Sequence, residues 1–331
     1  MSYASKTFRR RVFASVAALA LVVTACGGDD VTDDTPQVGG DEGTEDTTTD
    51  ETTDGTDDGA DDGATGETTA GGDLLAELQE AGVVRVGIAD EEPYGYVDDD
   101  GNVTGQAPEV ARRVLEELGI EEIDAQVVAF ESLIAGLQAG QFDMITAGMY
   151  INPDRAQQIL FSDPDYCVGE AFAVPEGNPQ DISDLQSVAD NPDVTLAILS
   201  GAVEEGYADT AGVPDDQIEF FSDVNAQYEA LQAGRVDAVI GTTLTVLTQV
   251  EDMDGFEATE SFFPLDEDGE EILGCGGYGF RNDDQEFRDA FNDELNRLQD
   301  EGELLPIITD FGFAEEDIER AQELTVEDLA G

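Results

Sequence analysis

Leu137-Gln138-Ala139-Gly140-Gln141-Phe142-Asp143-Met144-Ile145-Thr146-Ala147-Gly148 is echoed further along the chain by Leu231-Gln232-Ala233-Gly234-Arg235-Val236-Asp237-Ala238-Val239-Ile240-Gly241-Thr242. Each stretch reads as a helix end, a glycine stop and a short apolar run suited to a buried strand. The echo predicts two α/β lobes of similar construction. Independent use of a common helix–glycine–strand link is the alternative. Both runs end in small or polar residues, and open α/β sheets place their ligands beyond the carboxyl ends of strands.

Working outward, Val83-Val84-Arg85-Val86-Gly87-Ile88 is a short β-rich run, and Tyr94-Gly95-Tyr96-Val97 reads as a second extended piece. Asp100-Gly101 signals a tight turn before Val103. The cluster Asp98-Asp99-Asp100-Gly101 lacks EF-hand spacing and a closing glutamate, so it reads as turn rather than calcium site. From Pro108 a helix places Val110, Val114 and Leu118 on one face with Ala111 and Leu115, and Gly119 stands at its stop. A second lobe begins after Asp165-Tyr166-Cys167-Val168-Gly169. It runs through a strand over 194–199, the Ser200-Gly201 turn and a helix around 228–231, and ends near Leu273. Gly277-Tyr278-Gly279-Phe280 and a helix over 287–298 then return to the first lobe. The expected division is 1–26, 27–72, 73–166 (first lobe), 167–275 (second lobe with connecting strands at its ends) and 276–331 (return and tail).

The first two segments set the compartment. Lys6, Arg9, Arg10 and Arg11 precede an apolar run from Val12 to Val23, and Thr24-Ala25-Cys26 follows. A basic start, a short apolar core and small residues at the cut describe an export signal too short to span a bilayer permanently. The Val-Thr-Ala-Cys ending resembles a bacterial lipobox, which makes Cys26 the lipidated first residue of the mature chain; an ordinary cleaved signal with a chance cysteine is the alternative. Residues 27–72 hold sixteen acids and no Lys or Arg. They cannot bury enough apolar surface to offset chain entropy and read as a solvated tether. Loose cation binding by repeats such as Asp57-Asp58-Gly59-Ala60-Asp61-Asp62-Gly63 is a second possibility.

Residues 73–331 carry 62 acids against nine arginines, a formal charge of −53. Nucleic-acid phosphates and anionic lipid surfaces are repelled by such a chain. Charge on this scale stays soluble where salt screens it, which suggests a saline habitat. The chain has no histidine, so His-based triads and His-ligated zinc are excluded. Cys26, Cys167 and Cys275 are too few and too scattered for a zinc or iron–sulfur set. Two cysteines beyond Cys26 in an exported protein make a disulfide the default expectation. No cofactor or metal is expected.

The order of pieces resembles the family 3 extracellular solute-binding proteins of ABC importers. The resemblance rests on the lipobox, Phe130-Glu131-Ser132-Leu133-Ile134-Ala135-Gly136-Leu137, Asp143-Met144-Ile145-Thr146-Ala147-Gly148-Met149, Pro153-Asp154-Arg155 and Phe161-Ser162-Asp163-Pro164. Within the family it is most similar to the ectoine/hydroxyectoine-binding subgroup. That likeness rests on Glu92-Pro93-Tyr94-Gly95-Tyr96, Gly105-Gln106-Ala107-Pro108-Glu109-Val110-Ala111, Ala147-Gly148-Met149-Tyr150 and Gly169-Glu170-Ala171-Phe172. The resemblance implies a two-lobed periplasmic-binding-protein fold (type II), each lobe a mostly parallel sheet flanked by helices. Two hinge strands join the lobes, which close on a ligand.

Carried over residue by residue, Arg155 matches the arginine that clamps the ligand carboxylate, a task suited to a planar fork of donors; a surface helix-cap arginine is the alternative. Glu91, Tyr94, Phe130 and Tyr150 match the subgroup's binding positions. An aromatic box would hold the delocalised cation of ectoine by its ring faces, with Glu91 accepting from its N–H groups. Simple core packing of Tyr94 and Phe130 is the alternative. Gly148, Val203 and Thr242 complete the expected site. Thr242 stands where relatives that bind α-amino acids usually carry an aspartate, which argues against an ordinary α-amino acid. Ala202 replaces the usual threonine of the Ser-Gly-Thr turn, leaving the second-lobe contacts open; backbone N–H groups near Gly201 to Val203 are candidates. The resemblance also sets Cys167 and Cys275 in the two hinge strands, where a bridge is geometrically reasonable. The expected role is a non-enzymatic, monomeric capture protein for ABC permease subunits, with an amino acid or related zwitterion as the alternative ligand. A dehydratase built on this fold and a sensor input domain are the readings from other classes. The first lacks a convincing acid–base partner for Glu91, and the second would normally continue into a membrane helix.

Overall fold

The computed structural model describes residues 74–331, so the export signal, Cys26 and the acidic tether lie outside the described residues. Thirteen strands follow in chain order among these residues. The first seven are β1 (Val83–Ile88), β2 (Tyr96–Val97), β3 (Val103–Thr104), β4 (Glu122–Val127), β5 (Met144–Tyr150), β6 (Leu160–Phe161) and β7 (Tyr166–Val168). The rest are β8 (Glu170–Pro175), β9 (Leu196–Leu199), β10 (Ile218–Phe221), β11 (Ala238–Thr242), β12 (Phe256–Ala258) and β13 (Gly274–Phe280).

Two sheets carry the molecule. The first has the order β4-β1-β5-β13-β6, with β7 also on β13; the second has the order β10-β9-β11-β8-β12. In the first, β1 lies parallel to β4 and β5, and β13 runs antiparallel to β5. In the second, β9 lies parallel to β10 and β11, and β8 runs antiparallel to β11. The two echoed runs, β5 and β11, therefore hold the same place: a parallel neighbour on one side and an antiparallel one on the other. This is the two-lobed α/β fold, with β2 and β3 forming a separate small hairpin.

The glycine stops act as expected. Gly140 and Gly234 take positive φ (70° and 66°) after helices Leu133–Gln138 and Val224–Gln232. Helix Gln106–Glu117 buries Val110, Ala111, Val114 and Leu115 against the first sheet. It starts two residues before Pro108, because proline suits the first turn, where no N–H is needed. Leu118 caps the helix and is only partly buried.

Three local readings need correction. Tyr94 and Gly95 are not extended: both N–H groups donate to the Glu91 carbonyl (2.8 and 2.9 Å), making a tight turn that aims Glu91 and Tyr94 inward. The strand expected from Val194 begins at Leu196, since the Val194 N–H closes a turn on Asn191 O. The strand read from Gly277 starts at Gly274 and pairs with β7, Cys275 facing Cys167. These two cysteines are joined by a disulfide across the adjacent segments that connect the lobes. Among the described residues no helix is long and apolar enough to cross a membrane.

Candidate binding cleft

Glu91, Tyr94, Phe130, Gly148, Tyr150, Arg155, Val203 and Thr242 line one cavity of about 40 Å³, together with Leu199, Ala202 and Glu204. The first six come from the first lobe and the rest from the second. Arg155, Tyr150 and Val203 also border a wider groove of about 950 Å³ between the segments around 151–158 and 201–210.

Arg155 owes its place to local sequence. Asn152 caps the short helix Pro153–Ala156, its side chain accepting from the Arg155 N–H at 2.8 Å. That fixes the backbone while the guanidinium turns back into the cleft. There Nη1 donates to Tyr150 O (2.7 Å) and Nη2 donates across the cleft to Gly201 O (3.0 Å). The guanidinium carbon stands 5.3 Å from the centre of the Phe130 ring. Eight of the nine arginines of the folded part have a carboxylate within 4.0 Å; among the described residues Arg155 has none. It is also 7% exposed. Its side chain is therefore a buried cation held by two carbonyls and a ring face, not a surface cap.

Glu91 is the opposite pole. It is buried, and burial pushes its carboxyl up to about 7, opposed by a hydrogen bond from Thr245. Thr245 Oγ1 donates to Glu91 Oε1 at 2.7 Å from the second lobe, and Thr242 Oγ1 lies 3.0 Å from Thr245 Oγ1. Thr242 and Thr245 thus form a short hydroxyl chain ending on Glu91.

The aromatic residues divide. Tyr94 is 1% exposed and packs on Tyr166 and Phe313 (ring centres 5.4 and 5.7 Å). Its ring fits because Gly148 has no Cβ: one built there would meet the ring. Tyr150 lies 6.3 Å from Tyr166. Tyr94 and Tyr150 are thus core residues that also line the cavity, and half-buried Phe130 already has Arg155 at its face. Of the backbone donors considered near Gly201, the Ala202 N–H is committed to Leu199 O (3.1 Å).

Sequence reasoning missed Thr245, Glu204 and Glu170. Glu204 is buried in the first turn of helix Glu204–Ala211, and Glu170 is buried at the start of β8. Burial pushes both carboxyls up; the charge of Glu204 raises Glu170 further, while a hydrogen bond from Glu170 and the charge of Arg155 act on Glu204 in the opposite direction. Nothing in the local pattern marks them, because acids are everywhere in this chain. Thr245 had a weak signal, one helical turn beyond Thr242. Among the described residues no set of three or more His, Cys, Asp or Glu is arranged to hold a metal ion.

The chain is similar to several known proteins. A probable amino-acid ABC transporter periplasmic-binding protein of Sinorhizobium fredii is 33% identical over 78% of this chain and 87% of its own length. The arginine-binding extracellular protein ArtP of Bacillus subtilis is 27% identical over 65% of this chain and 80% of its own. The crystal structure of EhuB in complex with hydroxyectoine superposes with a TM-score of 0.70 at 35% identity, covering 78% of this chain and 97% of that one. Residues 84–313 match the model of the bacterial extracellular solute-binding proteins, family 3, and the chain belongs to that family.

Proposed function

We propose that this solute-binding component of an ABC importer captures ectoine or hydroxyectoine. The observation that carries the reading is Arg155, the one described arginine left without a carboxylate, buried opposite a second pole at Glu91. A small ring bearing a carboxylate and a delocalised amidinium matches that pair of poles. Its carboxylate meets the guanidinium in a charge-assisted fork, and its N–H groups donate to Glu91. Tyr94, Phe130 and Tyr150 line the cavity around the cation, which a free ring face attracts. Similarity to EhuB with hydroxyectoine supports the choice of ligand. Thr242 and Val203 close the site from the second lobe, so ligand contacts to both lobes favour the closed form.

Isothermal titration with hydroxyectoine and ectoine tests this, with one-site binding as the expected outcome. Arg155→Ala should weaken it by about 30-fold or more, the scale for deleting one partner of a buried charge pair. The relatives named for amino acids favour a second reading, an amino acid in the same cleft. Heat with arginine or glutamate and none with either ectoine would establish it. In the cell, the lipidated Cys26 and the acidic segment 27–72 tether the domain outside the membrane, where the closed form meets permease subunits. Cys26→Ala should release the protein to the medium; a variant that stays membrane-bound would end the tether reading.

A further inference from the structure

Two buried carboxyl groups, Glu91 and Glu204, line the cavity with the Arg155 guanidinium, and a third, Glu170, is buried beside Glu204, yet none lies within ion-pair distance of the guanidinium. Glu204 is the nearest rival for Arg155: each feels the other's charge, and Glu204 lines the cavity beside it. The Glu204 carboxyl lies within hydrogen-bond reach of the Glu170 carboxyl, and Oε2 of each has no donor from any other described group. Glu170 is 1% exposed and Glu204 6%. Glu170 cannot retreat, because its backbone is pinned on both sides by Phe262 (N–H to O 2.8 Å, O from N–H 2.9 Å). Glu204 also accepts from its own backbone N–H, but the two buried Oε2 atoms have no donor, and a proton held between the carboxyl groups satisfies them, since two like charges so close in a buried site do not both ionise.

We propose that Glu170 and Glu204 hold one proton between their carboxyl groups, and that this proton keeps Glu204 out of an ion pair with Arg155, leaving the guanidinium for the ligand's carboxylate. Glu170 is then a positioning residue that acts on the ligand through Glu204. The pair is faced by Arg155 from helix Pro153–Ala156, Glu91 from the turn after β1, Tyr94 and Tyr150 from the first lobe, and Tyr207 and Tyr228 from the second. Burial pushes both members of the pair up, in the direction that keeps the proton at neutral pH. Removing it at alkaline pH frees Glu204 to occupy Arg155, an internal competitor for the ligand.

The inference rests on a carboxylate ligand at Arg155, and two measurements separate the two ideas. Infrared spectra of the ligand-free protein should show the C=O stretch of a protonated carboxyl that disappears in both Glu170→Gln and Glu204→Gln; its absence from the wild type overturns the shared proton whatever the ligand. Titrations with hydroxyectoine across pH read the consequence. Wild-type affinity should fall on the alkaline side. Glu170→Ala should lose about tenfold at neutral pH, the cost of a binding-competent state occupied one-tenth of the time. Glu170→Gln, which still donates to Glu204, should restore affinity and lack the alkaline fall. Removing the competitor as well, in Glu170→Ala/Glu204→Ala, should recover part of the loss, a coupling that independent sites would not show. Loss in Glu170→Gln equal to that in Glu170→Ala, or an alkaline fall that persists in Glu170→Gln, would overturn the proposal. A wild type that ignores hydroxyectoine would overturn the ligand reading alone, and the infrared band would still decide the proton.

Discussion

The strands β5 and β11 are the same piece of architecture put to different uses. Each follows a helix and a left-handed glycine, and each sits between a parallel and an antiparallel neighbour. Each is preceded by an aspartate that locks it to the strand before: the Asp143 N–H donates to Arg85 O while Asp143 Oδ2 accepts from the Arg85 N–H, and Asp237 does the same with Thr195. Beyond that point they part. Strand β5 runs on through Gly148 and Tyr150 and delivers Arg155. Strand β11 stops at Thr242 and turns at once into helix Thr243–Glu251, which delivers Thr245. The comparison teaches that the repeat builds the scaffold, and that the few residues after each repeat build the cleft.

Substituting the glycine near the end of each strand should break the symmetry most sharply. Gly148 has φ +62°, and a Cβ there would run into the buried Tyr94 ring. Gly241 has no such φ, and its nearest contact would be Val246 at an ordinary 3.8 Å. Gly148→Ala is expected to destabilise by about 2–4 kcal/mol, the sum of a left-handed backbone penalty and overpacking. Gly241→Ala should lie within about 0.5 kcal/mol of wild type. Urea unfolding midpoints of the two variants check this, and equal losses would mean that the two strand ends are not distinct environments.

The paired aspartates come next. Asp143 also takes Arg85 at 2.7 Å and Arg281 at 3.3 Å, whereas the Asp237 side chain is shown accepting only from the Thr195 N–H (2.8 Å). Asp143→Ala takes the carboxylate from Arg85 and one of two from Arg281, leaves the Arg85 N–H without its acceptor, and should cost about 2–3 kcal/mol. Asp237→Ala loses one hydrogen bond to an ionised acceptor, about 1–2 kcal/mol. The same denaturation series ranks them, and the reverse order would contradict the claim that the first lobe's copy carries the extra ion pairs.

The repeat was legible because helix ends, glycine stops and apolar runs are local signals that survive any context. Arg155 was legible for the opposite reason: arginine is rare in this chain, so one placed after a strand end stands out. Thr245, Glu170 and Glu204 were not, because their importance comes from burial, and sequence position does not reveal which of 62 acids is buried. Tyr94 was misread as extended because the Glu91 turn is made by backbone bonds that side-chain pattern does not encode. The expected aromatic box also hid a division of labour, with two rings serving the core and Phe130 facing Arg155.

The smallest expected effect is the one that tells the two poles of the cleft apart. Arg155 stays charged at any ordinary pH, but the Glu91 carboxyl titrates near 7 because burial raises it. A cation is held by the ionised form, so hydroxyectoine should bind about tenfold more weakly at pH 6 than at its maximum above pH 7, with a proton released on binding. Stability moves the same group the other way round. Between the ordinary 4.5 and about 7 the folded chain keeps a proton that the unfolded chain has lost, so this group's contribution falls as pH rises through that window. Glu91→Gln should therefore remove the fall in affinity toward pH 6 and this group's share of the stability slope, while lowering affinity for the cation. Titrations in buffers of different ionisation enthalpy count the released proton directly. A count of zero at pH 6, with the wild-type profile flat, would remove Glu91 from the cation's side of the cleft and leave Arg155 as the only pole.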